Sequence, residues 1–343
     1  MPTLESILTG GVPLEQQTLL LLGAGCGLLL TWPAIWLARH LGITSSAPGN
    51  NPFHVKGEKY KSGGLVIALV ALTLVSLVIG FKSPWRTGLM FAGGLTLIGL
   101  LDDLHPLTPG WKIILQTPLA LQVALSLPLP LWIEPGLGRV IFEVVWIIIL
   151  TNAFNILDVA DGLLPGIATI LLWTLGTLLC LQGEQWGLGI FGVAYAAATL
   201  GILPRNAHRG VLILGDTGSL TLGGLGALMV LYVDWWSLGI ISRTAIVFLL
   251  LPPVFEVLWV TVKRLRRGIA PWRGSPHHFV YWLTDKGIER RWAVFLMVLV
   301  EAIPATILLA LLAPVWTLSV PILVMLVLLA RGFWTQHHQP QSI

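Results

Sequence analysis

Charge is scarce in this chain. Lys, Arg, Asp and Glu make up 10% of 343 residues, against 55% hydrophobic ones, and mean hydropathy is +0.84. Such a composition excludes a water-soluble globule and makes the lipid bilayer the solvent. Cysteine is nearly absent: Cys26 and Cys180 both lie inside apolar runs, which excludes a disulfide framework and argues against thiol redox chemistry. Long polar stretches are missing too. The largest run to about 25 to 30 residues, so no soluble domain is expected, and no fixed-period repeat is visible. The first residues, MPTLESILTGGVPLEQQ, hold neither Lys nor Arg; without the basic start of a cleavable signal, the first apolar run is expected to stay in the mature protein.

What is present is a series of apolar runs of membrane-crossing length. Windows of about 19 residues place spans near 17–38, 63–81, 87–102, 111–127, 139–155, 162–181, 187–203, 219–236, 240–262, 292–313 and 315–332. The expected fold is therefore all-α: one polytopic membrane domain over residues 1–343 with about eleven transmembrane helices. Orientation follows from the basic residues, which are retained on the cytoplasmic side. Connections after odd-numbered spans hold sixteen of the 20 Lys and Arg; the others hold Lys82, Arg86, Arg139 and Arg243. This puts the N-terminus outside, the C-terminus in the cytoplasm, and connections 39–62, 103–110, 155–162, 204–218 and 263–291 together on the cytoplasmic face.

Those connections carry nearly every side chain able to do chemistry. Asp102 and Asp103 close the third span; adjacent helical residues point about 100° apart, so one carboxylate can face the bundle and the other the loop. In Thr151 to Gly162, spacings of three put Asn152, Asn155, Asp158 and Asp161 on one stripe if the backbone stays helical, suiting a hard cation or the hydroxyls of a nucleotide sugar. Leu214-Gly215-Asp216-Thr217-Gly218-Ser219 opens the eighth span. Glycines beside an acid allow close approach of backbone to phosphate, and the free N–H groups of a helix start favour an anion. In the basic loop, Arg273-Gly274-Ser275-Pro276-His277-His278-Phe279-Val280-Tyr281-Trp282 reads as an interfacial aromatic segment presenting two imidazoles. Each cluster alone also has a bland reading: a solvated helix end, a polar seam, a capped turn or a surface His pair.

Together they resemble the polyprenyl-phosphate N-acetylhexosamine-1-phosphate transferases, over about residues 54–287. The family's paired aspartates match Asp102 and Asp103. Its N-A-x-N-x-x-D-G-x-D-G segment matches Asn152 to Gly162, and its Asn followed ten residues later by the Asp of G-D-x-G-S matches Asn206 and Asp216. Its first-loop His and Gly-Gly match His54 and Lys61-Ser62-Gly63-Gly64. Departures are Asp158-Val159-Ala160-Asp161-Gly162 in place of D-G-L-D-G, a missing Pro before Gly-Gly, Ser275 where the family has its first His, and Ile213, which removes an aromatic face that could stack on a base.

The resemblance implies transfer of an N-acetylhexosamine-1-phosphate from a UDP-sugar, UDP-GlcNAc or similar, to polyprenyl phosphate in the plasma (inner) membrane. It implies magnesium, with manganese as substitute, and leaves a homodimer open; membrane lipids surround the chain and nucleic acid has no place. On that reading Asp102, Asp103 and Asp216 are catalytic, and Asp216 and Asp158 hold metal. His54, Lys61, Asn152, Asn155, Asp158, Asp161, Asn206, Arg273, His277 and His278 contact substrate. Alternatives are the UDP-MurNAc-pentapeptide translocase of the same family, an ion- or proton-coupled transporter using Glu256 and Glu301 inside spans, and a catalytically silent relative.

Overall fold

The computed structural model describes residues 14–40, 44–45, 59–80, 85–127, 134–183, 185–208, 211–312 and 322–327. Its helices are α1 (Leu14–His40), α2 (Gly63–Ile79), α3 (Trp85–Leu104), α4 (Pro109–Ser126), α5 (Leu137–Leu157), α6 (Leu163–Gln182), α7 (Trp186–Leu203), α8 (Gly215–Tyr232), α9 (Ile240–Leu249), α10 (Leu251–Leu265), α11 (Phe279–Asp285) and α12 (Arg290–Leu312). A π-helical turn, Pro204–His208, follows α7, and two short strands, β1 (Thr44–Ser45) and β2 (Lys59–Tyr60), pair antiparallel.

The chain is an α-helical membrane protein. Among the described residues, six helices are long and apolar enough to cross a bilayer, or seven if the bent pair α9 and α10 counts as one span. Nine of the eleven expected spans overlap single described helices and a tenth overlaps the pair α9 and α10; the eleventh lies mostly outside the described residues. The expected span 240–262 is not one helix: it breaks at Leu250 with a bend of 47°. Pro252 and Pro253 sit in the first turn of α10, where each removes an N–H that would otherwise continue the α9 ladder.

Lipid as solvent is visible in the surface. On α1, Leu21, Leu29, Trp32 and Trp36 are each 61–74% exposed, which water would penalise and acyl chains favour. At the centre, the spans built on α6 and α7 are each 94% buried. They lie close because small residues face each other: a Cβ added to Gly176 would sit 2.8 Å from Gly189 O and Val193 N. Among apolar helices in lipid, such close backbone packing replaces the missing hydrophobic drive. α8 packs against α3, α5 and α6, which carries its N-terminal Gly215-Asp216 to the end of α3.

Candidate active site

The two aspartates ending α3 diverge as their 100° separation requires. Asp103 turns to α8, where its carboxylate accepts from Asp216 N (3.1 Å), Thr217 N (2.9 Å) and Thr217 Oγ1 (2.7 Å). The helix-start N–H groups expected to be free for phosphate are thus partly occupied: Asp103 caps α8 from another helix, and a carboxylate there is favoured by the exposed N–H dipoles. Gly215 has φ +66°, and a Cβ on it would lie 2.5 Å from Asp103 Oδ2. Only glycine fits that turn.

Asp102 turns to the loop. It accepts from Leu107 N (2.7 Å) and lies 2.9 Å from Lys112 Nζ. The same ammonium pairs with Asp216, so one cation joins the acids of α3 and α8. Lys61 adds a second, 3.6 Å from Asp103. The first loop is laced to the connection before α8 by backbone bonds: Tyr60 N to Val211 O (2.8 Å), Ile213 N to Tyr60 O (3.0 Å), Gly63 N to Ile213 O (3.0 Å) and Gly64 N to Leu214 O (3.0 Å). A Cβ on Gly64 would fall 2.1 Å from Gly218 N, which explains the Gly-Gly.

The expected polar stripe from Asn152 to Asp161 does not persist. α5 ends at Leu157, Asp158 is its C-cap at φ −78°, ψ 61°, and Gly162 is left-handed at φ +86°, so the chain turns and the four side chains part. Asn152 donates to Gln116 Oε1 (2.8 Å) and Ile148 O (2.8 Å), a link to α4. Asn155 donates to Ser219 Oγ (3.0 Å) beside Asp216. Asp161 is buried in an ion pair with Lys59 (2.9 Å) and Arg290 (3.1 Å). Asn206, expected as a substrate contact, is also buried: it accepts from Gly162 N (2.7 Å) and donates to Leu212 O (2.9 Å), joining two loops.

Asp158 is half-buried. Desolvation, then the carboxylates of Asp216, Asp161 and Asp103, push its carboxyl up to about 8, against the pull of Lys59. Burial holds the Lys59 ammonium below the usual lysine range, with Asp161 opposing.

The basic loop closes over the same end. Tyr281 donates its hydroxyl to Val159 O (2.9 Å). His278 is buried, its Nδ1 2.9 Å from Glu256 Oε1. His277 is half-buried, and its Nδ1 has no hydrogen-bond partner among the described residues. Ser275, standing where the resembled family has its first His, accepts from Arg264 Nε (2.8 Å), and Arg264 also reaches Pro271 O. Arg273 is exposed. His54 lies outside the described residues.

Among the described residues no group of three or more His, Cys, Asp or Glu is assembled as a metal site. Magnesium commonly takes only one or two carboxylates, with phosphate and water completing the shell. Asp102 and Asp216, oxygen donors that already share one cation, fit that pattern, with Asp158 near enough to feel the charge of Asp216. Sequence reasoning missed Lys112, Lys59, Arg290 and Thr217. For Lys112 a signal existed: it is the only Lys or Arg between Arg86 and Arg139, and so the only cation available beside Asp102 and Asp103 from that stretch.

Comparison with known proteins gives an independent reading. The model of glycosyl transferase family 4 matches residues 85–234, which contain Asp102, Asp103, Lys112, Asp158, Asp161 and Asp216. A phospho-N-acetylmuramoyl-pentapeptide-transferase of Moorella thermoacetica is 31% identical over 322 residues, covering 82% of this chain and 95% of that protein. A decaprenyl-phosphate N-acetylglucosaminephosphotransferase of Mycolicibacterium smegmatis is 29% identical over 334 residues, 84% of this chain and 80% of that protein.

Proposed function

Because the chain belongs to the polyprenyl-phosphate N-acetylhexosamine-1-phosphate transferases, glycosyl transferase family 4, we propose that it moves an N-acetylhexosamine-1-phosphate from a UDP-sugar to a polyprenyl phosphate, releasing UMP. One observation carries the reading: acids and cations from five connections remote in sequence meet at one end of the bundle, with Lys112 shared between Asp102 and Asp216. Both reactants are anions, and repulsion between them is the main obstacle to attack of the lipid phosphate oxygen on the donor's β-phosphate. Lys112, Lys61 and Arg290 supply positive charge at that end. Magnesium, held by Asp216 with Asp102 or Asp158, would neutralise the diphosphate.

The roles of the chain's own residues follow from what each has free. Asp103 is spent on α8, so Asp102 and Asp216 are the acids placed to meet phosphate through a cation. A lipid phosphate is ionised at neutral pH and hardly needs a base. Asn155 and Asp158 line the donor side, and His277 and His278 hold phosphate oxygens. We place this end in the cytoplasm, with eleven spans and the N-terminus outside, on the sixteen-to-four split of basic residues; the membrane is the plasma membrane. UDP-GlcNAc is the favoured donor and UDP-MurNAc-pentapeptide the second. UMP release from each, with undecaprenyl phosphate and purified protein, tests the reading. UMP formed only when lipid phosphate is present supports it, and no turnover with any UDP-N-acetylhexosamine rejects it.

A further inference from the structure

Glu256 is the least expected charge near the site. It lies on α10, wholly buried, in a stretch of apolar sequence, and no Lys or Arg pairs with it among the described residues. Its hydrogen bonds among the described residues all go to the start of α11, while Arg264, farther along α10, feels its charge. Oε1 is 2.9 Å from His278 Nδ1, and the two oxygens accept from Phe279 N at 3.2 and 3.3 Å.

We propose that Glu256 is a positioning residue for the transfer reaction: it accepts the Nδ1–H of His278 and, by its negative charge, favours the doubly protonated ring, whose Nε2–H is donated to a phosphate oxygen. The inference rests on the transferase reading above. A carboxylate accepts and does not donate, so the imidazole nitrogen facing it carries hydrogen, and the partner of one ring nitrogen decides the state of the other. The ring has little freedom to turn. Tyr281 meets it edge-on at 5.3 Å, and Tyr281 is itself tied to Val159 O, next to Asp158. His278 is therefore wedged between a carboxylate and the loop that carries the site's acids.

A purely structural role for Glu256 would be anchoring α11, and that job has a second holder. Phe279 packs on Phe255 (4.9 Å), Trp259 (5.1 Å) and Trp282 (5.4 Å), an aromatic cluster that fixes the helix without the carboxylate. Glu256→Gln keeps size and an oxygen acceptor for Phe279 N, but removes the negative charge that supports a second hydrogen on the ring and leaves His278 a neutral imidazole.

The test combines kinetics with a signature of the imidazole itself. Turnover of Glu256→Gln should fall about ten- to a hundredfold, the usual cost of losing a residue that orients another, with the KM for UDP-sugar changed much less. The double variant with His278→Gln should be no slower than His278→Gln alone, because the two act as one unit. Nitrogen-15 histidine spectra of the whole protein in detergent should show hydrogen on both nitrogens of His278 in the wild type and on only one in Glu256→Gln. Wild-type turnover in Glu256→Gln, or losses that multiply in the double variant, overturns the proposal. Should the Gln variant not fold, a wild-type spectrum with hydrogen on only one ring nitrogen overturns it and one with hydrogen on both supports it. If the wild type releases no UMP the transferase reading fails separately, while the spectra still report the pair.

Discussion

At the scale of the residue, the aspartates divide by what their oxygens already hold. Asp103 caps α8 with three hydrogen bonds. Asp103→Asn should destabilise the protein by about 1–2 kcal/mol, the usual worth of a cap, seen as earlier loss of the monodisperse peak on heating in detergent. Asp216→Asn should leave that melting point in place and lower UMP release by orders of magnitude; equal melting losses in both variants would remove the distinction. The buried Lys59–Asp161 pair behaves differently again. Lys59→Met takes from a buried carboxylate the ammonium paired with it, so a loss of about 3–5 kcal/mol is expected, while Lys59→Met with Asp161→Leu should recover much of it. Asp158 sets a pH dependence. Its folded carboxyl, at about 8, lies above the ordinary 3.8, so the native chain holds a proton that the unfolded chain releases between those values. That contribution is complete below about 4 and is lost as pH rises through 8. In chelator, the melting temperature of the wild type should fall relative to Asp158→Asn from pH 5 to 8; parallel curves would place Asp158 in water. The motif acids were legible as residues because charge is so rare here. Their division of labour was not, since nothing local in Gly99 to His105 says which of two neighbours meets α8.

At the scale of the element, nearly all of the helix pattern could be read from apolar run length, because in lipid a span must satisfy its own backbone. The break at Leu250 was missed because the apolar run continues through it; Pro252 and Pro253 were the available sign. The stripe from Asn152 to Asp161 failed because the helix stops at Leu157, ahead of its last two members: Asp158 is the C-cap, and Gly162, with its left-handed backbone, is already the N-cap of α6. The Gly63-Gly64 pair was recognised by resemblance, and its reason is steric. Gly64→Ala puts a carbon against the Gly218 backbone, which no rotamer relieves, so α2 and α8 must part where the first loop meets Asp216. That variant should lose UMP release and melt several degrees earlier, whereas Gly93→Ala, with nothing within 4 Å, should match the wild type in both. A tolerated Gly64→Ala would mean the two helices have slack at this end.

For the whole molecule, contacts among the loops put the site at one end of the bundle without saying which side of the membrane that end faces. Sidedness rests on the distribution of Lys and Arg, and a one-span error would scatter the acids between the two faces. They are not scattered: first-loop Lys59 meets Asp161, Lys61 lies beside Asp103, and Tyr281 reaches Val159. What charge counting predicts can be measured at two exposed tryptophans in opposite connections, Trp272 between α10 and α11 (72% exposed) and Trp236 between α8 and α9 (67%). In a background where Cys26 and Cys180 are replaced by Ala, Trp272→Cys in intact cells should escape a membrane-impermeant maleimide and react once the membrane is opened. Trp236→Cys should react from outside at once. Both labelling from the same side would contradict the count of spans between them. The reverse pattern would put the acids of α3 and α8 on the outer face, away from any cytoplasmic supply of UDP-sugar, and with them the transfer reaction proposed for this site.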